Sequence, residues 1–230
     1  MKYSIVIPAY ICDIELVQVF TKMLESLKKH TPEEYELIIV DNGSKYMQEE
    51  MMEVADIYIR NKENMGFTRA INQGAGVATY DEYNGYYVFL NDDLELTPNW
   101  LERLIEPLTW DVDTLKTKGF PVVSTIRYGD ADPEGEMEGY EEEVKFGCIW
   151  AIDQSSFRRN YFGLDEQFKQ RWSDTDLWKR IHMVNGLTTV KNLKGFVYHR
   201  GKATLNKVDP DDKQYEIEKE LYLKKWGELD

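Results

Sequence analysis

Short apolar runs alternate with amphipathic stretches along the first half of the chain. Tyr3 to Ile7 is a β-branched run stopped by Pro8. From Ile14 to Lys29 the residues Leu16, Val19, Phe20, Met23, Leu24 and Leu27 recur with helical spacing. Leu37 to Val40 predicts a buried strand, closed by Asp41-Asn42-Gly43-Ser44. Tyr46 to Ala55 predicts a helix, Ile57 to Ile59 a short strand, and Phe67 to Ala78 a helix that carries Gly74 and Gly76. Tyr86 to Leu90 predicts the next strand. Thr97-Pro98 then predicts a helix start, with Thr97 as N-cap and Pro98 in the first turn, running to about Leu108. Strands buried on both faces and alternating with helices imply an α/β fold with a mostly parallel sheet flanked by helices. In such sheets ligands bind beyond the carboxyl ends of the strands. Three polar clusters fall at such ends: Pro8-Ala9-Tyr10, Asp41 to Ser44, and Asn91-Asp92-Asp93.

The second half has a different pattern. Asp130 to Glu143 contains eight acidic residues and no basic one, which predicts a mobile, lid-like loop rather than core. Apolar patterning resumes at Phe146. Lys213 to Trp226 predicts a charged terminal helix, docked through Tyr215, Leu221, Tyr222 and Trp226.

Composition narrows the classes. The 230 residues suit one domain, and 42% hydrophobic with 30% charged residues marks a globular chain. Acidic residues outnumber basic ones 42 to 28, for a net charge of −14. That opposes a nucleic-acid or anionic-membrane surface. Cys12 and Cys148 are too few for a disulfide framework and suit a reduced, cytoplasmic compartment. No signal-peptide pattern, internal repeat or apolar run of about 20 residues is present.

The adjacent carboxylates Asp92 and Asp93 repel each other and demand a counter-charge if buried. In an extended chain Asn91 and Asp93 face one side and Asp92 the other. A hard cation such as Mg²⁺ or Mn²⁺ binds one or two protein carboxylates and completes its shell with water and phosphates. The alternative is a turn with a helix cap.

Six segments occur in one order: "SIVIPAY" at Ser4, "IIVDNGS" at Ile38, "NMGFTRAINQG" at Asn64, "FLNDDLELTPNWLERL" at Phe89, "FGLDEQF" at Phe162 and "DTDLWKR" at Asp174. The series resembles the family 2 glycosyltransferases of the GT-A fold, from Ser4 to about Thr204. The resemblance implies a single GT-A domain over 1–230. It has a nucleotide-sugar-binding half at 1–110, an acceptor and catalytic half at 111–204, and a C-terminal helix at 205–230. It implies a metal-assisted, inverting hexosyltransferase. The donor is a UDP, GDP or dTDP sugar, and the acceptor is a glycan, lipid-linked or protein hydroxyl.

Residue by residue, the resemblance places Pro8, Ala9 and Tyr10 beside the nucleotide, with Tyr10 stacking on the base and Asp41 accepting its imide N–H. An Asx turn is a compatible reading of Asp41. Asn64 and Gly66 lead into a helix whose free N–H groups suit an anion. Arg69 reaches the base or diphosphate, or is a surface arginine. Asn72 and Gly74 permit close helix–sheet packing. Asn91-Asp92-Asp93 matches the Asp-x-Asp motif, with Asp93 on the metal and Asp92 on the ribose or metal-bound water. His199 in "VYHRGKAT" matches a histidine that completes the metal site, against a buried hydrogen-bonded histidine. Arg200 and Lys202 approach the diphosphate on loop closure, and His30 and His182 are surface residues.

Transfer with inversion needs a general base. The family usually has Glu-Asp before a helix; this chain has Ser173-Asp174, a departure that bears on acceptor binding. Asp174 lies three residues before Leu177 on the face marked by Leu177, Ile181 and Val184, whereas Asp176 lies four before Arg180 on another face. Asp174 is therefore the base. Asp176 is a cap or structural pair, with Ser173-x-x-Asp176 as a capping-box alternative. Trp150 and Trp172 are candidate sugar platforms, with core packing open for Trp150. Asp165 and Glu166 hold acceptor hydroxyls or orient a loop. A sugar-1-phosphate nucleotidyltransferase is the enzymatic rival, but Pro8 to Asp13 lacks the Gly-rich basic loop it needs. A catalytically impaired nucleotide-sugar-binding protein is the rival from another class. Turnover that depends on Asp174 separates it from an enzyme.

Overall fold

The computed structural model describes residues 2–79, 85–131, 137–160, 163–184, 186–201 and 204–229. Among these residues nine strands form one sheet: β1 (Lys2–Ala9), β2 (Tyr35–Asp41), β3 (Ile57–Arg60), β4 (Gly85–Leu90), β5 (Leu94–Leu96), β6 (Phe120–Gly129), β7 (Tyr140–Glu142), β8 (Ile149–Asp153) and β9 (Leu187–His199). The helices are α1 (Ile14–His30), α2 (Gln48–Val54), α3 (Phe67–Val77), α4 (Trp100–Ile105), α5 (Val112–Lys118), α6 (Ser173–His182), α7 (Leu205–Val208) and α8 (Lys213–Trp226).

The strand order is β3-β2-β1-β4-β8-β6-β9-β5, with β7 paired to β9. The first four strands are parallel, as the alternation of helix and strand requires. Beyond β4 the sheet is mixed. β8 runs antiparallel to β4 and β6, β6 and β9 are parallel, and β5 and β7 run antiparallel to β9. The sheet thus crosses the division at residue 110.

Both faces of the sheet are covered. Ile5 and Ile7 of β1 pack with Phe20, Met23 and Leu27 of α1, while Val6 joins Ile38 and Val40 of β2 beneath Ala70 and Ile71 of α3. This alternation follows from the two-residue period of a strand. α3 lies so close to β1 that a Cβ on Gly74 would stand 2.3 Å from Val6 Cγ1, which is the close packing expected of that glycine.

Three expectations change. Thr97 is not the N-cap of α4. Its hydroxyl donates to the Phe196 carbonyl of β9, and the helix starts after Asn99, at φ 63°. Strand β5 escaped notice because three residues carry little periodic signal. The acidic segment ends in β7, where Tyr140 packs edge-on to Trp110 at 4.9 Å and donates to Glu106 Oε1 at 2.6 Å. An aromatic anchor therefore orders its end, and residues 132–136 lie outside the described ones. Among the described residues no helix is long and apolar enough to cross a membrane.

Gly74→Ala is expected to lower stability by about 1–3 kcal/mol through overpacking against Val6. Urea unfolding of the variant measures it. A gain in stability would mean that α3 has room to move off the sheet.

Candidate active site

A cavity opens beyond the carboxyl ends of β1 and β4. It is lined by Pro8, Ala9, Tyr10, Asn42, Asn64, Asn91, Asp92, Asp93 and His199, and covered by Thr204, Leu205 and Val208. Its floor is the turn after β4. The expected alternation fails there, because residues 92 and 93 turn rather than extend. Asn91, Asp92 and Asp93 therefore all reach the same cavity. The Asn91 N–H donates to the Cys148 carbonyl at 2.9 Å, tying the turn to the segment before β8.

The two carboxylates have separate partners. Asp92 accepts from the Tyr10 N–H at 2.9 Å and from the Thr204 hydroxyl at 3.1 Å. Burial first, then the charge of Asp93, push its carboxyl up to about 7. Asp93 Oδ1 stands 3.1 Å from His199 Nε2. The contact is not aligned as a hydrogen bond, and both atoms are buried with no hydrogen-bond partner. The register explains how they meet: β5 pairs with β9 so that Leu94 lies opposite His199. Among the described residues there is no cluster of three or more metal-ligating side chains. Two ligands with unused lone pairs fit a hard cation that keeps water and phosphate in the rest of its shell.

Asp41 is not placed as expected. It is fully buried. Its oxygens accept from Ser44 N at 2.7 Å, from the Tyr58 hydroxyl at 2.6 Å and from the Arg60 guanidinium. The Asx turn is present, three donors already occupy this carboxylate, and Asn42 rather than Asp41 lines the cavity. The start of α3 is also changed. The N–H groups of Met65, Gly66 and Thr68 are taken by Asn42 Oδ1, Asn64 Oδ1 and the Lys169 carbonyl, which leaves fewer of them for an anion. Arg69 is exposed in an adjoining cavity with Glu166 and Lys169. Asn72 does more than permit packing: it holds both backbone groups of Leu164, at 2.8 and 2.9 Å.

Asp174, in the first turn of α6, is half-buried. Burial raises its carboxyl above the ordinary aspartate value, against a hydrogen bond from Thr175 N. Its charge, with burial and Cys148, helps push the Tyr128 phenol up to about 12. Tyr128 in turn stands edge-on to His199 at 5.7 Å. Burial first raises the Cys148 thiol, and the charges of Asp93 and Asp174 add to it. Asp174 is not among the residues lining the cavity that holds Asp93 and His199.

Asp176 is fully buried and structural. It accepts from Arg180 Nε at 2.9 Å, Trp226 Nε1 at 2.9 Å and Lys225 Nζ at 2.6 Å. The capping box is absent, because Trp172 precedes the helix at φ 65° with no side-chain cap. Val184 does not mark the inward face: α6 ends at His182 and Val184 is exposed.

Of the two candidate sugar platforms, Trp150 takes the core-packing alternative: it lies in β8 opposite Phe89 of β4 and is buried against Phe89 at 4.2 Å and Phe146 at 5.0 Å. Trp172 packs on Tyr215 and Tyr222 of α8, at 5.6 and 4.9 Å. Asp165 orients its loop by accepting from Lys225 and Gln167, and Glu166 accepts from Asn72 at 3.2 Å. His182 is half-buried against Trp178 at 4.4 Å, and Lys202 lies outside the described residues.

Sequence reading missed Glu218. Its buried carboxylate accepts the consecutive N–H groups of Lys169, Gln170 and Arg171 at 2.9, 3.0 and 2.8 Å. A glutamate between Ile217 and Lys219 in a charged helix gave no signal of this, because its partners are backbone groups 47 to 49 residues away.

The profile described as glycosyl transferase family 2 matches residues 4–160. The chain is 27% identical over 181 residues to the glucosyl-dolichyl phosphate glucuronosyltransferase of Haloferax volcanii, covering 74% of this chain and 53% of that protein. It therefore spans about half the length of that relative. GalNAc-T7 with UDP, GalNAc and Mn²⁺ superposes with a TM-score of 0.67 at 15% identity, over 86% of this chain and 44% of that one. S. aureus TarS superposes with a TM-score of 0.62 at 16% identity, over 90% and 63%.

Asp92 makes stability depend on pH. An unfolded aspartate titrates near about 3.9. Between that value and about 7 the native carboxyl holds a proton that the unfolded chain has lost. This part of the stability is full at low pH and is lost as pH rises through the window. The urea midpoint is expected to fall from about pH 5 to about pH 8, and Asp92→Asn to flatten that slope. Equal slopes in both proteins would assign the dependence to another group.

Proposed function

Because this chain belongs to glycosyl transferase family 2 and has the GT-A fold, we propose that it moves a sugar from a nucleoside-diphosphate sugar to an acceptor hydroxyl, with inversion and with Mn²⁺ or Mg²⁺. The observation that carries the reading is the pairing of Asp93 Oδ1 and His199 Nε2, 3.1 Å apart, buried and without hydrogen-bond partners, at the end of β4. These two residues hold the cation. When bound, it would supply Lewis-acid stabilisation of the charge on the departing nucleoside diphosphate.

The chain's own groups do the rest. Pro8, Ala9, Tyr10, Asn42 and Asn64 wall the nucleoside side of the cavity. Asp92 holds the Tyr10 backbone and the Thr204 hydroxyl, joining the wall to its cover. Asp174 takes the proton from the acceptor hydroxyl, and burial raises its affinity for protons, the direction that suits a general base. The acceptor is a hydroxyl of a glycan, a lipid-linked sugar or a protein. Support for the donor comes from GalNAc-T7, whose fold is similar and which holds UDP and Mn²⁺.

Calorimetry tests the metal reading. UDP and GDP are expected to bind well with Mn²⁺ and weakly with chelator, and Asp93→Asn or His199→Ala to erase the difference. Wild-type affinities that ignore Mn²⁺ would end the metal reading.

The two aspartates of α6 separate chemistry from structure. Asp174→Asn is expected to slow turnover by about 10²- to 10⁴-fold with nucleotide affinity kept. Asp176→Asn is expected to cost about 1.5–3 kcal/mol of stability, from weakened charged hydrogen bonds, with activity per folded molecule kept. Donor hydrolysis and thermal melting read the two effects, and the reverse pattern would make Asp176 the base.

A further inference from the structure

A second cavity, of about 390 Å³, also borders the Asp93–His199 pair. Asp93 and His199 line both cavities. The charged and aromatic walls of the second are Lys22 of α1, Glu95 of β5, Asp130 after β6, and Tyr198 and Arg200 at the end of β9. β5 is the last strand of the order, so the cavity lies beside an edge of the sheet. Its volume is within the usual range for a small-molecule site.

Lys22 and Arg200 are the reason to assign it a ligand. Neither side chain has an ion pair or hydrogen bond, although Glu95 and Asp130 line the same cavity. Arg200 does not line the first cavity, where the donor diphosphate was expected to meet it. The mixture of charges has a chemical meaning. Two cations without carboxylate partners suit a phosphate monoester, which carries about −1.5 to −2 charges near pH 7 and pairs with a guanidinium through two oxygens. Carboxylates accept from hydroxyls, so Glu95 and Asp130 suit a sugar. Tyr198 is 37% exposed and stands opposite Glu95 in the β5–β9 register, which sets an aromatic ring beside a carboxylate. A bare anion would be repelled by Glu95 and Asp130, and an uncharged sugar would leave both cations unused. A sugar that carries a phosphate uses all four.

We propose that this second cavity anchors a phosphorylated sugar as the acceptor, with its phosphate on Lys22 and Arg200 and its hydroxyls on Glu95 and Asp130. The acceptor role rests on the transferase reading above, and the binding does not. The wall shared at Asp93 and His199 sets a ligand held here next to the donor cavity. The four residues determine specificity and exchange no proton.

Binding is read first, by calorimetry with chelator and no donor, so that neither metal nor transfer enters. The probes are glucose 6-phosphate, glucose and inorganic phosphate. Glucose 6-phosphate is expected to bind about tenfold or more tightly than either of the others, which lack the charged or the hydroxyl contacts. Lys22→Gln and Arg200→Gln are each expected to weaken it by about tenfold or more. The melting temperature is expected to hold, because neither side chain has a partner to lose. Glu95→Gln is expected to weaken glucose 6-phosphate and not inorganic phosphate. Glucose 6-phosphate that binds no tighter than inorganic phosphate, or that ignores Lys22→Gln and Arg200→Gln, overturns the proposal. So does an Arg200→Gln protein that loses UDP affinity in Mn²⁺ but keeps glucose 6-phosphate, because that puts Arg200 on the diphosphate. Transfer is read second, with Mn²⁺ and whichever of UDP-glucose, UDP-N-acetylglucosamine or GDP-mannose is hydrolysed fastest. Glucose 6-phosphate is expected to be glycosylated, with KM raised and kcat kept in Lys22→Gln. Glucose accepted as readily as glucose 6-phosphate removes the acceptor role. A protein that binds glucose 6-phosphate but turns over no donor removes the transferase reading, and the acceptor role with it, while the phosphosugar site stands.

Discussion

Two adjacent carboxylates buried at the end of β4 are the constraint around which the site is built. Like charges in a low-dielectric site must be compensated or neutralised. The fold sends Asp92 to the Tyr10 N–H and the Thr204 hydroxyl, and Asp93 to His199. Each partner belongs to a different segment, so relieving the repulsion also draws the end of β1, the end of β9 and the cover of the cavity together. The compensation is incomplete: Asp92 holds protons more tightly than an ordinary aspartate, and Asp93 Oδ1 and His199 Nε2 lack hydrogen bonds. A site that leaves buried polar atoms unsatisfied forgoes stability in the free protein, and a divalent cation would recover it.

A second brace holds the acceptor side. Glu218 gathers three backbone N–H groups of the 169–171 loop, and the Lys169 carbonyl accepts from Thr68 at the start of α3. A Cβ on Gly66 would stand 2.7 Å from that carbonyl, so glycine is needed for the approach. The loop leads into α6 and Asp174. C-terminal helix, loop and α3 are therefore coupled, and the N–H groups of Met65, Gly66 and Thr68 are used inside the protein.

Residues of the same type are sorted by phase and depth. Asp174 and Asp176 differ by two positions, about 200° around a helix of 3.6 residues per turn. One turns its Oδ2 towards Gly147, and the other is sealed beneath Arg180, Lys225 and Trp226. Trp150 is buried in the core, whereas Trp172 is half-buried against Tyr215 and Tyr222.

The sequence by itself determined the parallel half of the sheet, because strands covered on both faces and helices covered on one carry strong periodic patterns. It also determined the helical phase that separates Asp174 from Asp176, since that depends on neighbours only a few residues apart. Its reading failed wherever the partner was distant. The three-residue β5, whose pairing with β9 brings His199 to Asp93, has too few residues to show a period. Asp41 and Glu218 spend their charge on groups that only the folded chain brings near, and Trp150 is buried by strands on either side of it. Tertiary structure alone decided which polar groups are consumed internally and which remain for a ligand, because a side chain's free hydrogen-bonding capacity is what the rest of the chain leaves unused.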